Sequence, residues 1–218
     1  DAEVADLDGS LGDRKLIVRV DRIELSKNLL RGFLAYDDLL RTHPEYRGHV
    51  VFAALIYPSR AGLPEYLSYR QEVESLARHI NETWATPGWT PVTVDTTDNF
   101  PRSVAALRRY DVLLVNPVRD GLNLVAKEGP LVNERDGVLA LSREAGAWEE
   151  LGPVALEVNP FDIAGTSDVL ATALAMTPAE RAVHAAAVRQ AATSRQPRGW
   201  LDDQLEAAAG TDAVRRPS

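Results

Sequence analysis

Cysteine is absent from the sequence, which excludes disulfides, thiolate catalysis and zinc–sulfur sites. Histidine is sparse: His43, His49, His79 and His184 are scattered without metal-ligand spacing, so no metal is expected and all four are placed at the surface or at helix ends. Aromatic residues make up only 6% of the chain. The four tryptophans, Trp84, Trp89, Trp148 and Trp200, form no spaced platform and are expected to pack rather than to stack on a ligand. There is no apolar run of about eighteen residues, and no basic, apolar, small-residue leader at the start, so neither membrane insertion nor secretion is expected and the cytoplasm is the default compartment. Two nucleotide fingerprints are missing as well: neither G-x-G-x-x-G nor G-x-x-x-x-G-K-[ST] occurs, which argues against a dehydrogenase or a P-loop kinase. Basic charge is in deficit. A formal charge of −8 speaks against general binding to nucleic acid or anionic lipid, but permits a local basic pocket for a small phosphorylated molecule.

What is present is the composition of an ordinary α/β protein: 218 residues, 45% of them hydrophobic, enough for one large or two small domains. The pattern alternates. Apolar runs at 15–20, 50–56, 92–95, 111–115, 138–141 and 155–158 read as strands. Between and after them, helices are expected over 27–42 (stopped by Pro44), 64–83, 101–109, from the Asp120-Gly121 pair onward, 145–151, 163–175 and 178–193, with a last one near Trp200. Strands alternating with helices imply a Rossmann-like parallel sheet covered on both faces, with ligands outside the carboxyl ends of its strands. The division expected is a binding domain over 1–196 and a carboxyl-terminal helix and tail over 197–218, set apart by Pro197-Arg198-Gly199. The first residue is Asp1 and the sole methionine is Met176, which suits a piece of something larger, an expectation that rests chiefly on family resemblance.

The densest chemistry lies at Arg119-Asp120-Gly121-Leu122-Asn123-Leu124-Val125-Ala126-Lys127-Glu128. It follows the buried run Asp111-Val112-Leu113-Leu114-Val115 and opens a helix. Free N–H groups and the positive end of the dipole at such a start favour an anionic ligand; the plainer alternative is a helix capped by Asp120. Other polar groups stand where successive strands end: Arg22 and Lys27, then Arg60, then Asn99 and Arg102. Arg22 with Lys27 suits a diphosphate clamp, or else a solvated surface pair. Glu128, read as two turns beyond Asp120 along one helix, suits hydrogen bonds from vicinal hydroxyls such as those of a ribose, or else a solvent-facing pair. Its neighbour Lys127 must point elsewhere. Ser142-Arg143-Glu144-Ala145-Gly146-Ala147 has the form of another strand-to-helix phosphate turn, although its small residues also suit close helix–sheet packing.

Taken in order and spacing, Val20-Asp21-Arg22-Ile23-Glu24-Leu25-Ser26-Lys27, Tyr57-Pro58-Ser59-Arg60, Trp89-Thr90-Pro91, Asn116 to Glu128 and Leu141 to Ala147 resemble the trehalose-6-phosphate synthase family. The resemblance covers almost the whole chain. It implies the carboxyl-terminal, donor-binding half of a retaining glycosyltransferase of the two-domain GT-B type, whose substrates are GDP- or UDP-glucose and glucose 6-phosphate. By that resemblance Arg22 and Lys27 hold the donor diphosphate, and Arg60 reaches the acceptor phosphate. Asp120, Gly121, Leu122, Asn123 and Leu124 bind the sugar hydroxyls and phosphates, and Glu128 binds the ribose. It also implies no cofactor, and a partner in the chain's own amino-terminal GT-B domain; homo-oligomerisation is left open. Asn28 and Leu122 stand where many relatives carry Gly and Met. A further relative with the same scaffold is the pseudo-glycosyltransferase of validamycin-type biosynthesis, which joins a nucleotide-activated cyclitol to an aminocyclitol phosphate. From a different class, a non-catalytic nucleotide-sugar-binding module has the same outline.

Overall fold

A computed structural model describes residues 2–59, 62–194 and 197–214. Among these, six parallel strands form one sheet: β1 (Lys15–Ile23), β2 (Val50–Pro58), β3 (Val92–Asp95), β4 (Val112–Val115), β5 (Val138–Ser142) and β6 (Leu156–Val158). The order across the sheet is β3-β2-β1-β4-β5-β6. The chain therefore winds one way from β1 to β3, returns to the middle and winds the other way, so the loops after β1 and β4 diverge and leave a crevice between them. Register sharpens this. Strand β1 pairs with β2 along its full length, from Lys15↔Val50 to Ile23↔Pro58, but with β4 only at Ile17↔Val112 and Val18↔Leu113. From Arg19 onward β1 is laddered on one side only.

Each face of the sheet carries its own helices and its own core. On one face, α2 (Leu29–Thr42), α3 (Pro64–Trp84) and α7 (Ile163–Ala175) bury Ile17, Phe33, Tyr36, Phe52, Ile80 and Leu170. On the other, α1 (Ala2–Leu11), α4 (Phe100–Arg109), α5 (Leu124–Val132), α6 (Trp148–Leu151) and α8 (Pro178–Ser194) bury Leu11, Leu16, Val18, Leu107, Leu113 and Leu139. Burial on both faces explains why the strands read as near-continuous apolar runs rather than alternating ones.

Several boundaries differ from the sequence reading. Helix α1 was not expected from the acidic opening; it forms because Val4 and Leu11 are buried against α4, with Asp8 paired to Arg109 at 3.1 Å. The helix expected from Lys27 starts at Leu29, because Leu25–Lys27 is a 3-10 turn that ends on Asn28 at φ 59°. Residues 145–147 are a turn rather than helix, and α6 has a single turn. The last helix, α9 (Pro197–Val214), starts at Pro197, so Pro197-Arg198-Gly199 lies within it rather than separating it; residues 215–218 lie outside the described residues. No helix among the described residues is long and apolar enough to cross a membrane.

Candidate active site

Lys27 links the loops after β1 and β4. It leaves the turn after β1, is only 9% exposed, and reaches across the gap to the loop after β4, where its Nζ lies 2.6 Å from Asp120 Oδ2 and 3.3 Å from Asp21 Oδ1. The backbone follows the same path: Val118 N–H donates to Ser26 O at 2.9 Å. Burial alone would lower the Lys27 pKa, but the two carboxylates outweigh it and hold the ammonium above its ordinary value. Burial likewise pushes Asp120 up, and Lys27, the Asn123 side chain and the Gly121 N–H pull it further down, so it stays ionised. Lys27 is thus not half of a solvated surface pair. Arg22 is: it lies on β1, about half exposed, with Nη1 2.8 Å from Glu24 Oε1.

The second wall is the helix entry after β4. Asn123, at φ 46°, caps α5 by accepting from Ala126 N–H at 3.1 Å. Asp120 is therefore not the cap. Its Oδ2 accepts from the Asn123 Nδ2 at 2.6 Å and its Oδ1 from the Gly121 N–H at 2.8 Å, which folds residues 120–123 into a compact loop ahead of the helix. Asp120 and Glu128 are not on one helix: Asp120 precedes α5, and Glu128 is its fifth residue. Glu128, Gly121, Leu122, Leu124 and Arg119 are all exposed. Lys127 turns away to Glu150, 2.8 Å from both carboxylate oxygens.

A third loop braces the second. A Cβ on Gly146 would stand 1.5 Å from Gly121 O, and Asp120 N–H donates to Glu144 O at 3.3 Å. The small residues at 145–147 thus admit the Gly121–Leu122 backbone, a closer approach than helix–sheet packing requires. Ser142, fully buried, donates its hydroxyl to Pro117 O at 2.8 Å.

Asn28 and Asn116 join the two sides. Asn28 donates from Nδ2 to Asn116 O at 3.0 Å and to Pro160 O at 2.8 Å, and accepts from Arg31 at 3.1 Å. Its left-handed φ of 59° suits Gly, and Asn is the side chain that best tolerates it. Asn28 therefore acts as a strut at a position whose backbone conformation would equally suit glycine.

Some expected members lie elsewhere. Arg102 pairs with Asp95 at 3.0 Å and lines a separate cavity of about 400 Å³ between α1, α4 and the β2–β3 edge, and Asn99 caps α4. Arg60 lies outside the described residues. His184 is not at a helix end but inside α8, where its Nε2 accepts from Leu139 N–H at 3.1 Å. Trp84 and Trp89 pack with their indole N–H groups bonded to Asp37 and to Val50 O; the Trp200 side chain lies outside the described ones. Among the described residues no cluster of three or more His, Asp and Glu has the arrangement of a metal site.

Sequence reasoning missed Arg19 and gave Asp21 no role. Arg19 is fully buried and donates from Nη2 to Asp21 Oδ2 at 2.8 Å and to Lys27 O at 2.9 Å. The signal was present: an arginine inside an otherwise apolar strand needs a partner, and a carboxylate two residues on lies on the same face.

The family model of glycosyltransferase family 20 matches residues 1–209. The bifunctional trehalose-6-phosphate synthase/phosphatase of Thermoproteus tenax is 36% identical over 204 residues, which is 92% of this chain and 28% of that protein. The trehalose-6-phosphate synthase of Klebsiella pneumoniae is 39% identical over 183 residues, 82% of this chain and 38% of that one. Among solved structures, a UDP-forming α,α-trehalose-phosphate synthase from Burkholderia xenovorans in complex with glucose-6-phosphate superposes with a TM-score of 0.89 at 36% identity, over 94% of this chain and 46% of that one. An Escherichia coli relative bound with UDP-2-fluoro glucose superposes with a TM-score of 0.89 at 33% identity, over 95% and 46%. The chain spans less than half the length of each of these relatives.

Proposed function

The chain belongs to glycosyltransferase family 20, and from that membership we propose that it is the donor-binding, carboxyl-terminal half of a retaining glycosyltransferase that moves glucose from a nucleotide sugar to glucose 6-phosphate. The observation that carries this reading is the Lys27 ammonium, buried at the point where the sheet changes direction and held between Asp21 and Asp120. An ammonium has three N–H donors. Two are taken by the carboxylates, and the third is free for a phosphate oxygen in the crevice. The relatives solved with glucose-6-phosphate and with UDP-2-fluoro glucose support the two substrate classes.

In this reading the bond between the anomeric carbon and the diphosphate breaks, and its electron pair passes to the departing phosphate oxygen. Lys27 and the exposed Arg22 offset the charge that grows there, which is catalysis by a fixed field rather than by a protein nucleophile. The acceptor hydroxyl forms the new bond on the same face and gives its proton to the departing phosphate. The N–H groups of Leu122, Asn123 and Leu124 at the entry to α5 face the phosphates and sugar, Glu128 accepts from the ribose hydroxyls, and Arg60 takes the acceptor phosphate. No resident metal takes part, so chelation with EDTA leaves turnover unchanged.

The test is calorimetric titration of the full-length protein with UDP, GDP and their glucose conjugates. Binding of one nucleotide, weakened about tenfold in Glu128→Ala by loss of a charge-assisted contact, supports the assignment and names the base. Binding without transfer of glucose to glucose 6-phosphate turns the reading toward the cyclitol-coupling relative. Absence of binding confines the kinship to the fold.

A further inference from the structure

We infer that Arg19 is a positioning residue for Lys27, one guanidinium fixing both the carboxylate that meets the Lys27 ammonium and the backbone from which that side chain departs. The inference rests on the donor-binding role assigned to Lys27 above. Arg19 Nη2 donates to Asp21 Oδ2 at 2.8 Å and to Lys27 O at 2.9 Å, with Nε 3.3 Å from the same carboxylate oxygen. The other Asp21 oxygen lies 3.3 Å from Lys27 Nζ. The ammonium is therefore held at both ends of its own side chain by one rigid fork, through its main-chain carbonyl and through Asp21.

Burial makes this arrangement expensive. Arg19 is 0% exposed and Asp21 8%, and a buried ion pair is commonly no better for stability than an apolar pair of the same volume. Helix α2 also yields to it: a Cβ on Gly32 would stand 2.5 Å from Arg19 Nη1 and 3.4 Å from the Asn116 amide, so a glycine, poor in helix interiors, occupies that turn. Apolar residues at both positions would build the same sheet without this concession. What they would not supply is the balance of charge. Arg19, Asp21, Lys27 and Asp120 sum to zero; without Arg19 the cluster carries a net negative charge beside the one ammonium aimed at a diphosphate. With Arg19 in place, Asp21 can orient Lys27 without the cluster repelling the ligand.

Two variants of the full-length enzyme test this: Arg19→Lys, which keeps the charge but loses the fork, and Arg19→Met/Asp21→Asn, which removes both charges and leaves the sum unchanged. Each is titrated with UDP and GDP and, as controls without a diphosphate, with uridine and guanosine. The expected result is a loss of about tenfold in diphosphate affinity, the scale of one charge-assisted hydrogen bond, with nucleoside affinity unchanged. A folded variant that binds the diphosphate as the wild type does overturns the inference, as does an equal loss for nucleoside and diphosphate. If one variant fails to fold, the other decides. Failure of the wild type to bind either diphosphate overturns the donor-site reading instead, so the two can be told apart.

Discussion

Arg22 and Lys27 read alike in the sequence and differ in kind in the fold. Arg22 is half exposed and paired with Glu24, an ion pair of the sort that contributes at most about 1 kcal/mol. Arg22→Ala should leave the melting temperature nearly unchanged and lower turnover of the full-length enzyme about a hundredfold, the scale of one lost electrostatic contact to the transition state; thermal melts and donor kinetics measured together check this. Lys27 does not allow the same separation, because its removal leaves Asp21 and Asp120 facing each other in a buried site. Arg22, Lys27, Asp120, Asn123 and Glu128 stood out in the sequence as candidates because charge and amide groups are conspicuous just after apolar runs. Arg19 was not, because a strand predicted from its apolar majority hides one polar member.

The elements that hold the site depend on close approach. Gly146→Ala would press a methyl group against Gly121 O. Because backbone cannot yield as a side-chain end does, the 120–123 loop must move; a loss of about 1–3 kcal/mol is expected, with weaker nucleotide binding. Urea denaturation and titration of the variant check the two effects, and normal binding at normal stability would show that the contact is not needed. Helix α8, which packs against α5, is tied to β5 by His184, which must be neutral at Nε2 to accept from Leu139 N–H. Its burial lowers the folded pKa below the ordinary 6.5. The unfolded chain therefore takes up this proton first as pH falls, so the His184 contribution is full above about pH 6.5 and is lost as pH drops through that value toward the folded pKa. Urea midpoints should fall between pH 7 and pH 5, and His184→Gln, which keeps an acceptor but cannot titrate, should flatten that slope. An unchanged slope would place the titration elsewhere.

Across the whole molecule, stability is unevenly spread. Strands β1, β2, β4 and β5 are covered on both faces, whereas the described side chains of α9 over 201–209 are exposed, Leu201 and Leu205 among them at 50% and 59%. Hydrogen exchange of the 218-residue chain should show β1 and β4 opening only with global unfolding and α9 exchanging by local fraying; equal protection of the two would show that α9 is docked. The sheet order matters most at this scale. The strand-and-helix alternation implied parallel strands, but not which of them would be neighbours, and that order is what brings Lys27 to Asp120 and keeps Arg102 at the far edge with Asp95.

By itself the sequence determined the α/β class, most of the elements and the charged groups that follow the strands, because apolar periodicity, proline and glycine punctuation and charge at strand ends are local properties. Tertiary structure alone decided which of those charges are buried, which are paired and which share the crevice. Burial and pairing are set by segments far apart in the chain: Arg19 against Gly32, Lys27 against Asp120, and Gly146 against Gly121. No spacing along the chain records those distances: Lys27 meets Asp120 because β1 and β4 are neighbours, laddered as far as Val18↔Leu113, and Gly146 meets Gly121 because β4 and β5 are.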